Sequence, residues 1–209
     1  MKNTSILFMS SLLLLLFSCN NKKLTEVVEV PLPSKEEKML IGSPEDVKAE
    51  DGTFKMVALP YSYEALAPHI DALTMELHYS KHYLTYTNNL NKAIAGTELD
   101  QLPIEDVLKK LDVSNADLRN NAGGYYNHGL FWENMAPKSS GKPKDSLAVA
   151  INRDFGSFEG FRNQFEEAAS KQFGSGWAWL VTDKAGKLQI TSTANQDNPL
   201  MSNAVIKGT

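Results

Sequence analysis

The chain has a single cysteine in 209 residues, Cys19, which excludes an intrachain disulfide. It has no basic excess. Lys and Arg number 21 against 25 Asp and Glu, a formal charge of -4, and no basic tract interrupts the sequence. That balance argues against nucleic-acid binding. No apolar run is long enough to cross a bilayer as a helix, which takes about 20 residues. The longest, ILFMSSLLLLLF at 6–17, has the length of a signal-peptide core. Histidine is scarce, with only His69, His78, His82 and His128. No internal repeat is visible. The remaining composition, 42% hydrophobic and 22% charged, is that of an ordinary globular protein.

The N-terminus reads as a targeting segment. Lys2 supplies a positive start, the apolar run follows, and LFSC at 16–19 resembles a bacterial lipoprotein signal. On that reading residues 1–18 are removed and Cys19 becomes the lipid-modified first residue, leaving no thiol for catalysis. Loss of Lys2 makes the mature charge -4 - 1 = -5. The alternative is an ordinary signal peptide with an incidental cysteine. Residues 19–53 are rich in Lys, Glu, Pro and Ser with scattered apolar positions, the composition of a flexible tether. The expected location is therefore extracytoplasmic, with the protein lipid-anchored to a bacterial membrane at the periplasmic or cell surface.

The rest divides into a helical-hairpin domain, 54–140, and a C-terminal α/β domain, 141–209. The fold class is α+β. The apolar spacing of Ile70, Leu73, Leu77, Leu84 and Leu90 predicts one long helix over about 63–95, interrupted only by Pro68 near its start. A short amphipathic helix is expected at 104–111 and a second long helix at about 116–135. The second contains Gly123-Gly124, a pair that costs roughly 1 kcal/mol per residue relative to alanine. Such a pair implies that the backbone approaches something closely. Two helices are expected over 145–156 and 157–173, with Ser157 as an N-cap. WAWLVTD and KLQITST alternate on either side of Lys184-Ala185-Gly186 and predict an antiparallel hairpin.

In HYSKHYLTY, 78–86, the residues His78, His82 and Tyr86 fall four apart, one above another on a helix. A His-x-x-x-His pair can chelate one metal ion, or it can be a polar helix face with a buried histidine. NHGLFW, 127–132, puts His128 and Trp132 at the same spacing on the second helix. One histidine from each of two packed antiparallel helices is a common start to a metal site. A di-metal carboxylate bundle is a poor reading, because it needs paired Glu-x-x-His motifs and no glutamate has a histidine three residues on.

Five stretches carry a family resemblance: LPYSYEALAPHIDALTMELHYSKHYLTYTNNLN (59–91), LRNNAGGYYNHGLFWENM (118–135), INRDFGSFEGFRNQF (151–165), FGSGWAWLV (173–181) and STANQDNPLM (192–201). In this order they resemble the iron/manganese superoxide dismutases. The resemblance implies that His78 and His128 are metal ligands. His82 and Tyr86 then stand at the mouth of the substrate channel, so His82 does not touch the metal. Trp132, Trp177 and Trp179 form the apolar wall. Gln196 hydrogen-bonds the solvent on the metal, while Gly124 occupies the alternative helical place for that glutamine, an arrangement that resembles manganese-using members. The implied cofactor is manganese or iron, the substrate superoxide, and the complete protein a homodimer.

The resemblance also implies two further ligands, an aspartate and a histidine in a D-x-W-E-H stretch. The 209 residues do not contain it. The expectation is that the sequence is a piece of a longer protein, with a truncated C-terminal domain, and that this chain alone is inactive or nearly so. The rival expectation is a degenerate dismutase fold kept as a non-enzymatic surface lipoprotein that binds a metal or a partner.

Overall fold

The computed structural model describes residues 40–139 and 141–208. The expected signal segment, Cys19 and the expected tether up to residue 39 lie outside the described residues. The architecture is α+β, with helices followed by a two-stranded antiparallel sheet.

The first helical stretch departs from the single α-helix expected over 63–95. A 3-10 turn covers Tyr63–Leu66, and Ala67 is extended with ψ 145°. Proline disfavours the helical region for the residue before it, so the helix cannot run through Pro68. Helix α1, Ala72–Leu77, starts only after Asp71, which caps it by accepting from the Thr74 N–H at 2.9 Å and Thr74 Oγ1 at 2.7 Å. It continues through a π-helical turn, His78–Tyr83, into α2, Leu84–Ile94. The chemically interesting stretch is therefore π-helical rather than α-helical. In an i→i+5 turn, four residues fall short of a full revolution instead of slightly exceeding one.

Helix α3, Ile104–Lys110, and α4, Ala116–Glu133, complete the helical domain. Helix α4 runs antiparallel to α1 and α2. His78 lies against His128 and Trp132 near the end of α4, whereas Tyr86 lies against Gly124, earlier in α4. The buried Leu90, Ile94, Val107, Leu108 and Ala122 form one core cluster. Tyr63, Met75, Tyr79, Tyr83 and Trp132 form a second, next to the histidines. Residues 40–53, assigned to the tether by composition, also touch this domain: Gly42 N–H donates to Glu76 Oε1 at 3.2 Å and Glu50 N–H to Asn88 Oδ1 at 2.9 Å. The domain's contacts thus extend N-terminally of the expected boundary at residue 54.

In the second half, α5, Asp145–Phe155, ends at Gly156, whose φ of 78° suits glycine. Ser157 then caps α6, Phe158–Lys171, as expected, accepting from the Gly160 N–H at 2.9 Å. Strands β1, Gly176–Thr182, and β2, Leu188–Ala194, pair in the register Gly176↔Ala194 to Thr182↔Leu188. The side chain of Asp183 holds the turn by accepting from the N–H groups of Ala185 and Lys187. Asp154 ties α5 to the hairpin, accepting from Leu188 N–H at 2.8 Å, and the hydrogen-bonded Arg153 pushes its carboxyl down to about 2. Among the described residues β1 has one strand neighbour, β2.

Candidate metal centre

The π-helical turn and α2 present His78, His82 and Tyr86; α4 presents His128 and Trp132 from the facing helix. The three histidine rings form a near-equilateral triangle. Their centroids are 5.5 Å apart for His78 and His82, 5.0 Å for His78 and His128, and 5.0 Å for His82 and His128. One ring nitrogen of each lies within 4.8 Å of the others. Among the described residues no carboxylate belongs to this group. His69 is exposed and stands outside it.

His128 is 1% exposed. Its Nδ1 lies 2.7 Å from the carbonyl oxygen of Gly124, one turn earlier in α4. A carbonyl only accepts, so Nδ1 carries the proton and Nε2 keeps a free lone pair. Burial, and then the neighbouring His78 and His82, depress its pKa to about 4, against the partial help of the Gly124 carbonyl. Burial also lowers His78, with His82 adding to the effect, and burial lowers His82. All three rings are thus held neutral, the form in which imidazole binds a metal.

Aromatic side chains close the site. Trp132 stands 4.9 Å from His78, and Trp177 stands 5.0 Å from His128, both edge-on. Trp179 is one step further out. It packs 6.2 Å from Trp177, and its Nε1 donates to Thr193 Oγ1 at 2.8 Å. His78, His128, Trp177 and Trp179 border an open cavity of about 1440 Å³ that continues past Phe161 and Phe165.

Gln196 arrives from the loop after β2. Its Oε1 accepts from Trp177 Nε1 at 3.1 Å and from Asn127 Nδ2 at 3.4 Å, and its Nε2 donates to the Tyr86 hydroxyl at 3.2 Å. The glycine pair makes this approach possible. A Cβ on Gly123 would stand 1.9 Å from the Gln196 carbonyl oxygen, and one on Gly124 would stand 2.4 Å from Cγ of Tyr86. The close approach that the two glycines imply is present, and the groups approached are Gln196 and Tyr86.

Sequence reasoning missed the supports of Gln196. Asn127 is 1% exposed, and its Nδ2 donates to the Gln196 carbonyl at 3.0 Å. Arg119 grips Asp197 with both arms, Nε at 2.6 Å and Nη2 at 2.5 Å. Thr193 Oγ1 donates to the Asp197 carbonyl at 2.6 Å. The position of Asn127 beside His128 is the one signal that could have pointed to it. Nothing local connects Arg119 to a residue 78 positions away.

This donor set fits a transition-metal ion. It offers converging neutral imidazoles, one with its tautomer fixed by a backbone carbonyl and its lone pair directed inward. The family comparison agrees. Residues 53–136 match the alpha-hairpin domain of the iron/manganese superoxide dismutases, and residues 143–207 match the C-terminal domain.

The chain belongs to the iron/manganese superoxide dismutase family.

Both domains of a superoxide dismutase are present. The hairpin match contains His78, His82, Tyr86, His128 and Trp132, and the C-terminal match contains Trp177, Trp179 and Gln196. A protein named superoxide dismutase [Mn] 1, from Leptolyngbya boryana, is 44% identical over 203 residues, covering 95% of this chain and 76% of that protein. A superoxide dismutase [Fe] from Raoultella planticola is 49% identical over 152 residues, 71% of this chain and 89% of its own length. A superoxide dismutase [Mn] from Pseudomonas aeruginosa is 50% identical over 147 residues, 68% of this chain and 72% of its own.

Proposed function

We propose that this chain serves the dismutation of two superoxide ions and two protons to hydrogen peroxide and dioxygen, at a mononuclear manganese or iron centre. The observation that carries the reading is the convergence of His78, His128, Gln196 and Tyr86, from three separate segments, on one aromatic-walled spot. His78 and His128 would hold the ion, which supplies, when bound, a one-electron couple that can accept an electron from one superoxide and return it to the next.

The chain's own residues manage protons and water. Trp177 and Asn127 both donate to Gln196 Oε1, which fixes the amide so that Nε2 faces Tyr86. The Tyr86 oxygen accepts from that amide and keeps its own O–H free to donate into the cavity, where peroxide needs protons. His82 packs edge-on to Tyr86 at 4.8 Å and walls the same opening. Trp132 and Trp177 exclude bulk water, which strengthens the hydrogen bonds of Gln196. Gln196 reaches the spot from a loop while Gly124 leaves the helix bare, and on that ground manganese is the proposed occupant.

The test is metal analysis and stopped-flow superoxide decay on the purified protein. Absence of bound manganese or iron, with no acceleration of decay, would refute the reading and favour the non-enzymatic lipoprotein. Lipid anchoring through Cys19, an extracytoplasmic location and a homodimer are parts of the same proposal, supported by the LFSC stretch and the resemblance. Detergent phase partitioning checks the anchor: the parent should enter the detergent phase and Cys19→Ser the aqueous phase.

A further inference from the structure

We propose that residues 40–53 form a strap that locks the π-helical turn His78–Tyr83 in its winding, from the side away from the cavity. Only the last residue of the strap falls within the family match, which begins at residue 53. The strap holds the helix on both sides of the turn. Ahead of the turn, Gly42 N–H donates to Glu76 Oε1 at 3.2 Å. Beyond it, Glu50 N–H donates to Asn88 Oδ1 at 2.9 Å. The strap ends where Phe54 N–H donates to Asn91 Oδ1 at 2.8 Å and the Phe54 carbonyl accepts from Asn91 Nδ2 at 2.9 Å. Gly52 passes so close to that amide that a Cβ on it would stand 2.3 Å from Asn91 Cγ. Ile41 and Val47, both half-buried, pack against the cluster of Tyr63, Met75, Tyr79 and Tyr83.

The two sides of the turn are thus occupied differently. His78 and His82 border the large cavity, whereas Tyr79 shares a cleft with Pro44 and Val47 of the strap. An i→i+5 turn is an uncommon winding, and the same residues can satisfy an i→i+4 ladder instead. Rewinding to α would rotate everything beyond Tyr83 by about 100° relative to α1, one residue's share of a 3.6-residue turn. Asn88 and Asn91 would then leave the strap, and Tyr86 would leave Gly124. A strap fixed to Glu76 on one side and to Asn88 and Asn91 on the other opposes that rotation. It is a positioning element. Its attachments are to Glu76, Asn88, Asn91 and the Tyr79 cluster, and it acts on His78 and His82 through the backbone they share. The inference concerns backbone order and is independent of dismutation by this chain.

The test is amide hydrogen exchange on the full chain, read residue by residue by NMR. In the parent the Gly42 and Glu50 amides should be protected, because each is donated to a side chain of the helix. Ile41→Ser combined with Val47→Ser removes the apolar grip of the strap and leaves the helix sequence intact. It should speed exchange over 40–52, and should speed the amides of 79–84 by about tenfold while α6 changes by less than about twofold. Asn88→Ala severs a single attachment and should speed 79–84 by about threefold. Unprotected Gly42 and Glu50 amides in the parent overturn the inference. So does a faster strap with unchanged exchange at 79–84, which marks a passive tail, or an equal rise at 79–84 and α6, which marks general destabilisation. If the double variant fails to fold, Asn88→Ala and the parent's own protection decide.

Discussion

Gly123→Ala inverts the usual rule for glycine inside a helix. At an open helix position this substitution stabilises by about 1 kcal/mol through helix propensity. At 123 the new methyl would meet the Gln196 carbonyl oxygen at 1.9 Å, whereas ordinary van der Waals contact begins at 3.4 Å. The contact is with backbone, so no side-chain rotation relieves it. The loop carrying Gln196 must retreat by about 1.5 Å, the difference of those two distances. Overpacking of this kind costs roughly 1–3 kcal/mol. The retreat also loosens the bonds from Asn127 and Trp177 to Gln196, at about 1 kcal/mol each. Set against the propensity gain of about 1 kcal/mol, the net loss is about 2–4 kcal/mol. For a chain of this size that lowers Tm by roughly 4–16 °C. Thermal unfolding followed by circular dichroism measures it, with Trp177 fluorescence reporting on the loop. An unchanged or raised Tm would show that the glycine is not required by the approach of the loop.

Three further outcomes are expected. The folded pKa of His128, about 4, lies below its unfolded value near 6.5, so the unfolded state binds more protons between those values and stability falls as pH falls from 6.5 to 4. The loss is up to about 3 kcal/mol by pH 4, and His128→Gln should flatten that limb of the unfolding free energy against pH. Arg119→Ala should cost about 1–2 kcal/mol by removing a charged fork that is a third exposed. Arg119→Lys should recover less than half of this in denaturant unfolding, because lysine cannot reproduce the bidentate geometry. Tyr63 and Tyr61 should behave oppositely: the buried Tyr63 hydroxyl has no partner among the described residues, whereas Tyr61 donates to the Trp132 carbonyl at 3.2 Å. Tyr63→Phe should be neutral or slightly stabilising, and Tyr61→Phe should cost about 1 kcal/mol by the same measurement.

The elements with a strong period or a local signal were legible in the sequence. Short-range chemistry set them: the apolar spacing of 104–111, Ser157 ahead of α6, and the alternation around Lys184-Ala185-Gly186. The first long helix was misread at both ends of its chemistry. Pro68 and Asp71 move its start to Ala72, and His78–Tyr83 opens into a π-helical turn. Periodicity could not show the second feature, because α and π winding differ by one hydrogen-bond step that the same residues satisfy either way. The glycine pair announced a close approach but not its object, since the groups approached lie 38 and 73 positions away.

The sequence by itself determined the family, the helix-then-hairpin order and the side chains available for chemistry, because motifs and periods are properties of neighbouring residues. Tertiary structure alone decided which of those side chains meet. It made a triangle of His78, His82 and His128, aimed the amide of Gln196 at Tyr86, and braced that loop with Asn127 and the Arg119–Asp197 fork. Distances between residues far apart in the chain are fixed by the packing of α2, α4 and the loop after β2, and no local rule contains them.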